Sequence, residues 1–379
     1  MGAMRALLFL AVPLLGMAVV SKAAGQDAVA GDPAVKMQWI EREFAMPVAG
    51  VLGGLDVVKV EVDRPGRHPL ALLTHGTAAD ATERSQVTPW SFVPQAIWFA
   101  RRGFVVLVVV RKGYGRSSGQ QDGAHGGCQK GWGGSFTESG EASAADLRAA
   151  VTYAETLPEV DTSTIVSAGV STGGFAQIAL TVNPPPGLKA AISFAGGRGG
   201  DGNLHNCDEG GIVSAFHTFG KKSRVPMLWI YSENDRWFPP EMAHKFDAAF
   251  RESGGNDEFV MVPPFSDDGH HFFQDVSGWS RIVDAFLKEK GLLTLPDLLP
   301  EPGVPNVTPP AELSERGLAG FHNFLLSGPH KAFATNGHGG WGMAVGMFNQ
   351  ELADKRALEN CVKAANVARA CSIVSRGAN

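Results

Sequence analysis

Gly169-Val170-Ser171-Thr172-Gly173 stands between two apolar runs, Ile165-Val166-Ser167-Ala168 before it and Phe175-Ala176-Gln177-Ile178-Ala179-Leu180 after it. The first run reads as a buried strand and the second as the opening turns of a packed helix. A serine on so sharp a strand-to-helix turn has its hydroxyl pushed out at the top of a sheet, where it can act as a nucleophile. The bare pentapeptide is weak evidence, because glycine supplies 47 of the 379 residues. A second match stands at Gly115-Arg116-Ser117-Ser118-Gly119. Ser117 lies well beyond Val110, where the strand-like run from Phe104 ends, and glycine-rich sequence follows it instead of a helix. Ser117 therefore reads as a loop residue and Ser171 as the nucleophile.

The neighbouring segments extend the same pattern. Strands are expected over Met37 to Phe44, Val57 to Val62, Pro69 to Thr74, Phe104 to Val110, Leu188 to Phe194, Pro226 to Tyr231 and Glu258 to Val262. Helical spacing marks Val93 to Arg102, Glu141 to Thr156, Glu241 to Ser253 and Ser280 to Lys290. Near-uniform β-branched runs belong to parallel strands covered on both faces. Strands alternating with helices predict an α/β fold with a mostly parallel central sheet and a site at the strands' carboxyl ends. Residues 295–310 carry six prolines and read as a stiff linker. Residues 311–379 then form a small α+β unit: a helix over Glu312 to Leu326, strands near Lys331 to Ala334 and Gly340 to Val345, a helix over Gln350 to Ala365 and a last strand over Cys371 to Val374.

Composition narrows the function classes. With 44% hydrophobic and 19% charged residues the chain is globular and not disordered. A net charge of −5 leaves no basic footprint for nucleic acid. Residues 1–24 read as a cleaved signal peptide: Arg5 is the positive start, Ala6 to Val20 the apolar run, and Ser21-Lys22-Ala23 the small-residue cleavage pattern. The run is shorter than a membrane span and contains Pro13. No other stretch is apolar enough to span, so the mature chain, with its main domain over 25–294, is expected to be secreted or periplasmic. Export makes disulfides the default for Cys128, Cys207, Cys361 and Cys371. Proximity in sequence favours Cys361–Cys371, which leaves Cys128–Cys207. Zinc is disfavoured, since no C-x-x-C spacing is present.

A serine hydroxyl is a poor nucleophile until a base takes its proton, and the base works better when a carboxylate orients it. On a sheet of this kind the acid and then the histidine arrive on loops after later strands. After Met227 to Tyr231 the chain reads Ser232-Glu233-Asn234-Asp235, and Asp235 is the chosen acid with Glu233 the runner-up. After Glu258 to Val262 it reads Ser266-Asp267-Asp268-Gly269-His270-His271. His270 follows the glycine that permits a tight loop and is the chosen base. His271 is then a wall residue, since neighbours on an extended chain point opposite ways. Two backbone N–H groups must face the developing oxyanion. Thr172 and, on the loop His75-Gly76-Thr77, Thr77 are the candidates. His75 is either a pocket residue or a buried, hydrogen-bonded residue that shapes this loop. No metal or organic cofactor is needed for such chemistry.

Residues 36–290 resemble the dienelactone-hydrolase-related branch of the α/β-hydrolase fold. The matching pieces are LLTHG (72–76), KGYGRSSG (112–119), GVSTGG (169–174), FAGGRGG (194–200), LWIYSENDRWFPP (228–240) and PPFSDDGHHFF (263–273). The resemblance implies a Ser171–Asp235–His270 triad and ester hydrolysis. Dienelactone hydrolase proper uses a cysteine nucleophile where this chain has Ser171, so lactone specificity is not carried over. A Cys128–Cys207 bridge would tie two rim loops into a cover, with Trp132, Phe136, Trp237 and Phe238 lining a pocket or packing the rim. The tail resembles a small secreted bacterial domain with the pattern HKAFA, GGWGMAVG and ALENC. The expected substrate is a small-molecule or envelope-derived ester. Two rivals are a peptidase on the same fold and a non-catalytic envelope-binding protein.

Overall fold

Valine-rich runs become the middle of one large sheet. The chain is described here by a computed structural model covering residues 38–77, 80–125, 135–293, 295–365 and 370–377. Strands β1 (Trp39–Val48) and β2 (Val51–Val62) form a long antiparallel hairpin. Gly50 takes φ 77° in its turn, a conformation that side chains disfavour. Then follow β3 (His68–Thr74), α1 (Ala81–Ser85), α2 (Val93–Ala100), β4 (Val105–Val109), α3 (Phe136–Ala154), β5 (Val160–Val170) and α4 (Thr172–Leu180). The main body closes with β6 (Leu188–Phe194), α5 (Glu209–Lys222), β7 (Met227–Ser232), α6 (Pro240–Glu252), β8 (Asp257–Val262) and α7 (Val276–Glu289). The sheet order is β1-β2-β4-β3-β5-β6-β7-β8. Pairing is antiparallel from β1 to β4 and parallel from β4 to β8.

Each face of the sheet has its own core. On one face Leu147, Ala150 and Val151 of α3, Phe175 and Ile178 of α4, Phe216 and Phe219 of α5 and Phe246 of α6 pack together. On the other, Trp98 and Phe99 of α2 meet Trp279, Val283 and Phe286 of α7. All five residues of β4 are buried, as a doubly covered strand requires.

Several elements differ from expectation. Helix α3 starts at Phe136 instead of Glu141, because Ser135 and Glu138 form a reciprocal capping box there. Strand β2 reaches back to Val51, since the hairpin pairs it with β1 along that length. The sequence predicts nothing over 209–222, where the structure places a 14-residue helix, α5, capped by Asp208. Its Ile212, Ala215, Phe216 and Phe219 lie at helical spacing and are buried.

The tail carries α8 (Glu315–Leu326), β9 (Ala332–Thr335), β10 (Trp341–Ala344), α9 (Gln350–Ala365) and β11 (Ser372–Arg376). β9 is the centre of a three-stranded antiparallel sheet. Ala332 and Ala334 of β9 pack against Ala353 and Ala357 of α9, and Cys361 is bonded to Cys371 beside them. Phe321, Phe324 and Phe333 pack on the opposite side. The tail rests on the segment just before α2. Thr88 Oγ1 and Ser91 Oγ both donate to the Gly346 carbonyl, and Arg356 pairs with Glu83. A Cβ on Gly328 would lie 2.2 Å from the Trp90 ring, so only glycine lets that ring seat there. Residues 295–310 hold no helix or strand. They are nonetheless pinned: Leu299 N donates to the Arg101 carbonyl at 2.8 Å and Arg101 Nε returns a bond to the Leu299 carbonyl at 2.9 Å.

Candidate active site

Ser171 joins β5 to α4 with φ 56° and ψ −123°. A non-glycine residue there stores on the order of 1–3 kcal/mol of strain, tolerated only when the surroundings enforce it. They do. Ser171 N donates to the Phe194 carbonyl at 2.9 Å, and Gly197 N donates to the Ser171 carbonyl at 3.1 Å. A Cβ on Gly173 would fall 2.4 Å from the His75 carbonyl oxygen, so glycine is required for α4 to approach the β3 loop.

Asp235 and His270 come together from the loops after β7 and β8. Asp235 is buried, and its Oδ1 accepts from Trp237 N at 2.8 Å and Phe238 N at 2.9 Å. His270 Nδ1 lies 3.1 Å from both Asp235 oxygens. Asp268 Oδ1 accepts from His270 N at 3.0 Å and caps the helical turn over Gly269–Gln274. Trp237 stacks on the His270 ring at 5.3 Å, and the buried Phe238 ring lies 5.5 Å from it. His271 and Glu233 are exposed. Ser171 Oγ and His270 Nε2 have no hydrogen-bond partner among the described residues, and neither is sealed off as a buried unpaired atom.

Thr77 and Thr172 lie side by side, with Thr172 Oγ1 donating to Thr77 Oγ1 at 3.1 Å. His75 lies beneath them with both ring nitrogens engaged. Nε2 accepts from Arg111 N at 3.0 Å, so the proton sits on Nδ1, which donates to the Gly76 carbonyl at 2.6 Å. Burial, then the Arg111 charge, holds His75 down to a pKa of about 3, so the ring stays neutral. That is the loop-shaping role, and His75 offers no nitrogen to a ligand. Trp132 and Cys128 lie outside the described residues. Cys207 is disulfide-bonded.

Three further residues surround these threonines, and nothing in the sequence singled them out. Arg111, fully buried, follows β4; Tyr114 and Asp122 come after it. Burial pushes the Asp122 carboxyl up, but the Arg198 and Arg111 guanidiniums outweigh it and hold it well below the usual carboxylate range. Burial and the Asp122 charge push the Tyr114 phenol up, so it remains a donor. A charge straight after a valine-rich strand was the one available signal, and it does not say what the charge meets.

The dienelactone hydrolase family model matches residues 91–289, which is 199 of the 379 residues and more than half the chain. The chain belongs to the dienelactone hydrolase family. It is a hydrolase with the α/β-hydrolase fold, as the topology and the family require. No curated protein matches it. Among solved structures, an esterase from Pyrococcus furiosus is 14% identical with a TM-score of 0.45, covering 67% of this chain and 90% of that one. An esterase from Thermogutta terrifontis is 17% identical with a TM-score of 0.45, covering 67% of this chain and 95% of that one. An acylaminoacyl peptidase from Pyrococcus horikoshii is 14% identical with a TM-score of 0.47, covering 69% of this chain and 43% of that one. This dienelactone hydrolase family member carries its candidate residues on loops at the carboxyl ends of β3, β5, β7 and β8.

Proposed function

We propose that this protein is an exported serine esterase working through an acyl-enzyme on Ser171. The observation that carries the reading is the strained φ of Ser171 at the β5–α4 turn, since such strain persists where the chain has a use for it. The His270–Asp235 pair on the later strand loops supports it. In the mechanism, His270 Nε2 takes the Ser171 proton as Oγ attacks the ester carbonyl carbon. The Thr77 and Thr172 N–H groups receive the oxyanion. His270 then gives its proton to the departing alcohol, and water, activated by the same imidazole, hydrolyses the acyl-enzyme. Asp235 holds the proton on His270 Nδ1, leaving Nε2 as the acceptor, and stabilises the imidazolium. Export rests on residues 1–24, and the Cys361–Cys371 disulfide fits an oxidising compartment. The test is hydrolysis of p-nitrophenyl acyl esters, with fluorophosphonate labelling, by wild type, Ser171→Ala and Ser117→Ala. Label and turnover should vanish only in Ser171→Ala. Their survival there refutes the assignment.

A further inference from the structure

Five polar side chains under the β3 loop form one closed ring. Arg111 Nη2 donates to Thr172 Oγ1 at 2.9 Å. Thr172 Oγ1 donates to Thr77 Oγ1 at 3.1 Å. Thr77 Oγ1 is bonded to the Tyr114 hydroxyl, which donates to Asp122 Oδ1 at 2.8 Å. Asp122 Oδ2 pairs with Arg111 Nε at 3.1 Å and closes the ring. Each hydroxyl accepts one bond and donates one, so the donors run in a single direction from the guanidinium to the carboxylate. No member has an alternative assignment without leaving a buried polar atom unpaired, which costs more than any one bond contributes.

The same guanidinium holds the β3 end from a second side. Arg111 Nη1 donates to Thr74 Oγ1 at 2.9 Å and to the His75 carbonyl. One planar group thus clamps the loop carrying Thr77 to the first residue of α4, Thr172. Under the esterase reading, these two residues supply the N–H groups that must meet at one oxygen. An oxyanion site works only when its donors lie about 3 Å from the same point. Asp122 is shared between the Arg111 and Arg198 guanidiniums. What Arg111 alone supplies is its fork geometry, which reaches Thr74, His75, Thr172 and Asp122 at once.

We infer that Arg111 is the positioning residue of the oxyanion site, holding Thr77 and Thr172 in register through their hydroxyls. The inference rests on the esterase reading, and the experiment separates the two. The full-length protein is compared as wild type, Thr172→Val, Thr172→Ser and Arg111→Lys, with kcat and KM on p-nitrophenyl esters, Ki for a trifluoromethyl ketone that forms the tetrahedral adduct, and melting temperature. Thr172→Val removes the hydroxyl but keeps the shape and the backbone N–H. It is expected to lower kcat and weaken the ketone by about tenfold with KM unchanged, within the ~100-fold that a small misplacement can cost. Thr172→Ser restores both. Arg111→Lys keeps the charge, cannot reach all the anchors, and should lose at least as much as Thr172→Val. Should Arg111→Lys not fold, the Thr172 pair decides alone. An unchanged kcat and Ki in Thr172→Val, a loss confined to KM, or full activity in Arg111→Lys overturns the role of Arg111 and leaves Ser171 in place. Activity and label persisting in Ser171→Ala overturns the esterase reading and this inference with it.

Discussion

Ser117 and Ser171 occupy the same G-x-S-x-G pattern in very different surroundings. Exposure does not separate them, since Ser117 is 3% and Ser171 8% accessible. Their partners do. Ser117 Oγ accepts from Asp56 N at 2.8 Å and donates to the Val110 carbonyl at 2.7 Å, so its hydroxyl is fully occupied in joining β2 to the end of β4. Ser171 Oγ has no partner among the described residues, and the backbone bonds around it hold its conformation. A hydroxyl bonded on both sides is a structural part. A hydroxyl held by its backbone alone is available for chemistry.

The comparison can be broken most sharply at Ser171. Ser171→Ala should lower kcat by about 10⁵- to 10⁶-fold, measured on p-nitrophenyl esters, with the fold unchanged. Asp235→Asn should cost on the order of 10⁴-fold, because the amide favours the wrong tautomer of His270, and circular dichroism should stay as in wild type. His75 gives a pH-dependent test of how the Ser171 side is held. Its folded pKa of about 3 lies below the ordinary 6.5, so its contribution is complete above pH 6.5 and is lost as the pH falls toward 3. The urea stability gap between wild type and His75→Gln should therefore widen from pH 3 to 6.5, by up to ~1.4 kcal/mol per pH unit, and stay flat above. A flat gap throughout would contradict the buried neutral ring. Ser117→Ala should keep full esterase activity and lose about 2–6 kcal/mol in urea unfolding, about 1–3 kcal/mol for each of the two buried backbone groups left unpaired. Loss of activity with stability retained would reverse the contrast between the two serines.

The sheet was legible because parallel strands covered on both faces read as near-continuous apolar runs, as Val105–Val109 does throughout and Ile165–Ala168 does apart from Ser167. Asp235 and His270 could be picked by their place after strands, and the structure pairs them; their catalytic roles await the variants above. Helix α5 does not stand out in the sequence although Ile212, Ala215, Phe216 and Phe219 carry the period, because Gly210 and Gly211 in its first turn read as loop. The Arg111 ring was not legible at all. Its members come from the loops after β3 and β4 and the start of α4, and only the sheet order, which sets β3 between β4 and β5, brings them together. Sequence spacing between Arg111, Tyr114 and Asp122 shows no periodicity that would group them with Thr77 and Thr172.

The seat of the tail on Trp90 bears on proteolysis. Val304 and Val307 are exposed in a stretch without helix or strand, which is where a protease cuts most readily. Upstream of such a cut Leu299 stays bonded to Arg101, and downstream the Gly346 carbonyl still receives Thr88 and Ser91 while Arg356 grips Glu83. A nicked chain should therefore run as two bands in denaturing gels and elute as one particle from a sizing column.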